Sequence, residues 1–232
     1  MLTFEKVELR QGEFVLSADL EIVRDQVTAV IGPSGGGKST LLAAVAGFVT
    51  PFAGAVRWMG TELNGVAPGQ RPVAMLFQDN NLFPHLTVTQ NVGLGLRPNL
   101  KLDAADQTEV SEALARVGLD GFGPRKPGAL SGGQQSRVAL ARVLVSQRPL
   151  VLLDEPFAAL GPALKQEMLG LVQDVLIGAG KTVVMVTHDP ADAMVAAQKL
   201  VLVAGGIAHA SVDVDIAFTN PVDALKDYLG TV

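Results

Sequence analysis

The chain has 232 residues, 48% hydrophobic and 18% charged, with no cysteine and a formal net charge of −5. Its pI near 5.2 argues against a duplex-binding face, which needs many Lys and Arg, so no nucleic-acid partner is expected. The lack of Cys excludes disulfides and thiolate metal sites, and despite a mean hydropathy of +0.34 no apolar run reaches the roughly 18 residues of a membrane span.

In chain order, residues 2–9 and Phe14–Ile22 alternate in polarity and are expected to pair antiparallel with 56–59. Val27–Ile31 is a β-branched run that reads as a buried strand, and Thr40 to Ala46 reads as a helix ending near Gly47. Further unalternating runs at 73–77, 150–153, Thr182–Val186 and 200–203 predict parallel strands covered on both faces. Asp103 can cap a helix with Val110, Ala113, Leu114 and Val117 on one face, closed by Gly118. Pro162 suits the first turn of a helix carrying Leu164, Met168, Leu171, Val172, Val175 and Leu176, and Asp189-Pro190 starts a short helix through Met194. The stretch 79–149 has helix signals and no strand. The expected fold is α/β: a mostly parallel, doubly wound core with an antiparallel β subdomain and an inserted α-helical lobe. One domain spans 1–232, its core formed by 1–78 and 150–232 and its helical lobe by 79–149.

Between the strand Val27–Ile31 and the helix lies Gly32-Pro33-Ser34-Gly35-Gly36-Gly37-Lys38-Ser39, which fits G-x-x-x-x-G-K-[ST], the phosphate-binding loop of nucleotide hydrolases. Strand, glycine loop and helix are the context this motif requires. Successive backbone N–H groups can wrap the phosphates, and the helix N-terminus adds partial positive charge. Lys38 is placed to neutralise the β- and γ-phosphates, Ser39 to offer its hydroxyl to Mg²⁺, and Thr40 completes the nucleotide-contacting run. The plainer alternative is a glycine-rich turn that happens to carry a lysine.

A second anion site is written in Leu130-Ser131-Gly132-Gly133-Gln134. Ser131 can cap the following helix, and two glycines allow close backbone approach to an anion. A nucleotide on the first loop has no use for another γ-phosphate site in the same chain. Two copies arranged head to tail solve this, each closing over the other's ATP.

With these two motifs in this order, followed by Leu150-Val151-Leu152-Leu153-Asp154-Glu155 and Thr187-His188, the chain resembles the ATP-binding cassette ATPase family over essentially its whole length. The resemblance implies ATP and Mg²⁺ as cofactors. It implies that Asp154 holds Mg²⁺ through its water shell and that Glu155 accepts a proton from, or orients, the attacking water. A strand ending in carboxylates suits this, because ligands bind at the carboxyl ends of parallel strands. Gln78, after 73–77, is similar to the family's glutamine that reaches Mg²⁺ and the water. His188 is similar to its switch histidine that contacts the γ-phosphate. The family stacks an aromatic ring on adenine; here Phe14 is the nearest ring, and a core strand position is the competing reading. Gly161 departs from the pattern, standing where the family usually has the aspartate that couples the two sites of the dimer.

The run Asp79-Asn80-Asn81-Leu82-Phe83-Pro84-His85-Leu86-Thr87-Val88 falls where importers of this family receive a short helix from the membrane permease, with contact expected near Asn80 to Leu86. The stretch from Met75 to Leu102 is most similar to the ATPases of bacterial thiamine importers. The resemblance implies an ATP-hydrolysing importer subunit, forming a homodimer on ATP binding and served by a periplasmic solute-binding protein. It implies a peripheral place on the cytoplasmic face of the inner membrane; Met1-Leu2-Thr3-Phe4-Glu5-Lys6 has no signal-peptide layout. No C-terminal regulatory domain is expected. The alternatives are an importer ATPase for another small solute, or a regulatory nucleotide-binding protein with weak hydrolysis, which Gly161 favours. A cassette acting on DNA or the ribosome finds no support in the acidic balance.

Overall fold

The computed structural model describes residues 1–230; the last two positions of the expected core segment 150–232 lie outside them. In chain order the strands and α-helices are β1 (Leu2–Gln11), β2 (Phe14–Ile22), β3 (Val27–Ile31), α1 (Lys38–Ala46), β4 (Ala53–Trp58), β5 (Thr61–Glu62), β6 (Val73–Leu76), α2 (Val88–Gly93), α3 (Ala104–Arg116) and α4 (Gly132–Val145). Then follow β7 (Leu150–Asp154), α5 (Pro162–Leu176), β8 (Thr182–Val186), α6 (Pro190–Ala196), β9 (Lys199–Ala204), β10 (Ile207–Ala208), β11 (Val212–Asp213), α7 (Val214–Thr219) and α8 (Asp223–Leu229).

The strands form one mixed sheet in the order β5-β4-β1-β2-β10-β9-β3-β8-β7-β6, with β11 on β9. Strands β9, β3, β8, β7 and β6 are mutually parallel. Strands β1, β2, β4 and β5 are antiparallel. The two halves meet at β10, parallel to β2 and antiparallel to β9.

Period-2 geometry explains why the parallel strands carry no polar face. Leu150 and Leu152 of β7 turn toward α1 and the antiparallel strands, where Leu41, Leu42 and Val45 pack on Leu2, Leu9 and Leu16. Val151 and Leu153 turn the other way, onto Val138 and Leu140 of α4 and Met168 and Val172 of α5. On β3, Ala29 and Ile31 meet Leu200, Leu202, Val214 and Leu225, so α7 and α8 cover part of the sheet. Each fully buried leucine stabilises the core by about 1.5–3 kcal/mol.

Helices α2, α3 and α4 pack together, and α4 reaches α5 and β6. Capping boxes open all three: Thr87 with Gln90, Asp103 with Asp106, and Ser131 with Gln134. Among the described residues of 79–149 no strand occurs, as expected. Several short features escaped the sequence. The antiparallel strand expected at 56–59 begins at Ala53 and is followed by β5; β10 and β11 are two residues each; and α7 and α8 had no expected counterpart.

Candidate functional site

The loop between β3 and α1 is shaped by backbone that only glycine tolerates. Gly32 has φ +146°, and a Cβ there would overlap the Val203 carbonyl oxygen of β9. Gly37 has φ +102°, and a Cβ would lie 2.7 Å from the Phe14 ring tip. The loop is therefore clamped between β9 and β2. The far end of α1 is fixed by buried Arg71, whose Nη1 donates to the Ala44 and Val45 carbonyls at 2.7 and 2.9 Å. Burial lowers the Arg71 pKa; the charge is kept because it serves the negative end of the helix.

Lys38 is buried at the mouth of this loop, and its ammonium donates to the Gly32 and Pro33 carbonyls at 2.8 and 2.9 Å. Burial lowers its pKa, while Glu155 and Asp154 act in the opposite sense. Ser39 donates its hydroxyl to Asp154 Oδ1 at 3.2 Å. Burial raises the Asp154 pKa; the Ser39 hydrogen bond and Lys38 oppose this, and Glu155 adds to it. This anion is short of solvation and is placed to take a cation.

Glu155 follows directly in a left-handed conformation, φ +45°, costing about 1–3 kcal/mol. Its amide donates to the Val186 carbonyl at 3.0 Å, which fixes the turn onto β8. The carboxylate Oε2 then meets His188 Nδ1 at 3.1 Å. His188 stands at the end of β8 between two anchors. Thr187 Oγ1 donates to Asp192 at 2.7 Å and accepts from the Asp189 amide at 3.1 Å. Lys165 of α5 donates to Asp189 and pairs with Asp192 at 2.5 and 2.7 Å.

A hollow of about 410 Å³ is lined by Gln11, Phe14, Ser34, Gly35, Gly37, Lys38, Ser39, Thr40 and Glu155. The structure thus gathers the expected residues of the loop, with Asp154, Glu155 and His188, around one end of the sheet. Phe14 is half-buried and packs on the core beneath Gly37, lining the same hollow. Gln78 is exposed just past β6; Leu76 pairs with Leu153, so the chain leaves β6 at the sheet end that carries Asp154. Among the described residues no hydrogen bond joins Gln78 to the other site residues.

Ser131, Gly132, Gly133 and Gln134 lie apart from the hollow. Ser131 and Gly132 are exposed at the start of α4, and Gly133 is buried close against Leu164 of α5. Sequence reasoning missed Gln11, whose Oε1 accepts from Thr40 at 3.2 Å. It also missed Lys165 and Tyr228, whose contacts cross 24 and 40 positions of chain and leave no local signature.

A glycine loop on a buried lysine, a hydroxyl–carboxylate pair and a carboxylate–imidazole pair, all at the carboxyl ends of parallel strands, define a P-loop nucleotide-hydrolase architecture. The chain belongs to the ABC transporter family, whose model matches residues 15–158. The thiamine import ATP-binding protein ThiQ of Cereibacter sphaeroides is 55% identical, with 99% of this chain and 100% of the relative covered. Its counterpart in Ruegeria sp. strain TM1040 is 56% identical over the same shares. Among solved structures, the dimeric cassette MJ0796 in a post-hydrolysis state bound to ADP and Pi is similar at TM-score 0.78 and 29% identity, covering 92% of this chain and 99% of that one. The structure of cbiO1 from Clostridium perfringens, part of the ABC transporter complex cbiONQ, is similar at TM-score 0.85 and 27% identity, covering 94% and 90%.

Proposed function

We propose that this chain is the ATP-hydrolysing subunit of a bacterial thiamine importer. The observation that carries the reading is 55% identity over nearly the full length to a thiamine import subunit, in a chain whose Lys38, Ser39 and Glu155 line one hollow, with Asp154 bonded to Ser39 and His188 to Glu155.

The seat takes a nucleoside triphosphate with its phosphates in the loop from Gly32 to Thr40, where backbone amides and the start of α1 favour negative charge. Lys38 exchanges the carbonyls it now contacts for the β- and γ-phosphates. Phe14 and Gln11 supply the wall of the hollow, Phe14 its apolar part. The Ser39 hydroxyl and Asp154 carboxylate are hard oxygen donors already in contact, which fits Mg²⁺, an ion that completes its shell with water and phosphate oxygens. Gln78 is the further amide donor expected at that sheet end. Ser39 and Asp154 would hold the ion there, and when bound it would supply neutralisation of charge developing on the phosphates. Glu155 orients the attacking water and accepts its proton, and His188 holds the carboxylate while its imidazole faces the γ-phosphate.

The cap at Ser131 to Gln134 is open to solvent and outside the hollow, so a second copy supplies it, and ATP is enclosed between two chains in head-to-tail order. The helical lobe, 79–149, carries that cap, and the core, 1–78 with 150–230, carries the loop. Closure of the dimer moves the permease, and hydrolysis resets it. The permease contact falls at Asn80 to Leu86. In support, Phe83, Pro84 and His85 are exposed, and buried Asn91 fixes the segment through bonds to Phe83, Leu86 and Thr87. Beside it lies an open cleft of about 540 Å³ with Phe48, Met75, Phe77, Leu94 and Leu96 in its lining, suited to a partner's apolar side chains. No helix among the described residues is long and apolar enough to cross a membrane. The importer role places the subunit peripherally on the cytoplasmic face of the inner membrane, with a periplasmic solute-binding protein delivering the vitamin.

Glu155→Gln tests the chemistry. Phosphate release should fall by about 10²–10⁴-fold, and ATP-bound dimers should accumulate in size-exclusion chromatography. Turnover at the wild-type rate removes Glu155 from its role. Thiamine-dependent stimulation of hydrolysis, with permease and binding protein reconstituted, tests the solute. Gly161 favours a second reading, nucleotide binding with weak hydrolysis in regulation; Mg²⁺-ATP turnover with and without permease separates the two.

A further inference from the structure

Tyr228, the only tyrosine of the chain, lies near the end of α8. Helix α8 packs through Leu225 and Tyr228 onto the β3–β9 face that includes Ile31, the residue before the phosphate loop. The phenolic hydroxyl donates to the His188 main-chain carbonyl at 2.7 Å. Pro33, second residue of the phosphate loop, and Tyr228 line one hollow of about 510 Å³. Burial, its largest cause, raises the phenol's pKa, so the group keeps its proton and remains a donor at neutral pH. One side chain therefore adjoins the start of the phosphate loop and, through its hydroxyl, holds the main chain of the histidine that meets Glu155.

The geometry points to Tyr228 as a positioning residue that ties the His188 main chain to α8 beside the phosphate loop, and so sets the His188–Glu155 pair relative to the γ-phosphate. The inference rests on the proposed roles of Glu155 and His188. The other anchors of this turn are independent of α8: the Thr187 amide donates to the Val30 carbonyl, and the Thr187 hydroxyl to Asp192. Removing the Tyr228 hydroxyl therefore loosens the turn without dissolving it. The phosphate-loop amides and Lys38 are untouched, so the loss belongs in turnover and not in ATP binding.

The test is steady-state Mg²⁺-ATP hydrolysis by the full chain carrying Tyr228→Phe, His188→Ala, both together, or Glu155→Gln. Tyr228→Phe should lower kcat about three- to ten-fold, as expected for one hydrogen bond, and leave KM for ATP within about twofold. In the His188→Ala background the same change should have no further effect, because Tyr228 acts only through His188. An unchanged kcat in Tyr228→Phe, an equal loss in the His188→Ala background, or a rise in KM in place of the fall in kcat overturns the proposal. Undiminished hydrolysis by Glu155→Gln would instead overturn the site reading on which it stands. Thermal melts of each variant identify a loss due to unfolding, which also counts against a positioning role.

Discussion

Asp154 is kept at the end of β7 at a cost to the free protein. Its carboxylate is half-buried beside Glu155, with one hydroxyl and one more distant ammonium in compensation. A carboxyl group whose folded pKa is raised destabilises the fold above that pKa, and the penalty is gone once pH falls below the ordinary value of 3.8. Asp154→Asn should therefore raise the melting temperature of the nucleotide-free protein at pH 7, by about 1–3 °C after allowing for solvent screening. The gain should shrink as pH falls through the carboxylate range, while Mg²⁺-ATP hydrolysis is lost. Melting curves across pH, paired with phosphate release, check both halves. A residue that weakens its own fold yet sits one hydroxyl from the phosphate loop supports the metal-holding role proposed for it.

Helix α5 begins without a side-chain cap. Gly161 occupies its N-cap with φ −65° and ψ 157°, a conformation open to any residue, and a Cβ there would meet nothing within 4 Å. Gly161→Asp should be accommodated and should stabilise α5 by about 0.3–1 kcal/mol through capping and the helix dipole, seen as a higher melting temperature. If the position couples the two sites of the dimer, the rate or ATP-cooperativity of hydrolysis changes as well; unchanged kinetics leave Gly161 as a cap only. The elements legible in the sequence were those with their own punctuation. Strands β3 and β8 coincide with the expected runs because each is a short, uncharged segment rich in β-branched residues, closed by a polar or glycine residue. Helices α3 and α5 were announced by Asp103 and Pro162. Two-residue strands such as β10 and β11 span no full period, so alternation cannot reveal them. The loop and its carboxylates were equally legible, being contiguous motifs. Gln11, Lys165 and Tyr228 were not, since their meaning arises only when distant segments meet.

Across the whole molecule, the charged contacts that bind helix to helix also set its acid limit. Lys165 joins α5 to α6 through Asp189 and Asp192. The Asp189 pKa is lowered chiefly by its Lys165 hydrogen bond, so this stability is present above 3.8 and is lost as pH falls through the folded value. For Lys165, burial pulls downward, but the two aspartates raise the pKa net, so its share is present below 10.5 and lost at higher pH through the folded value. Lys165→Met should thus melt below wild type by a constant margin, about 1 kcal/mol, between these limits, and the margin should close in acid. Equal margins at pH 7 and pH 3 would show that the lysine acts by packing alone. The sheet has its own weak line. Among the described residues its antiparallel and parallel halves are laced together only through β10, two residues long. Amide protons there should trade with deuterium sooner than those of β3 or β8, marking the crease along which the two halves can flex while each keeps its internal ladder.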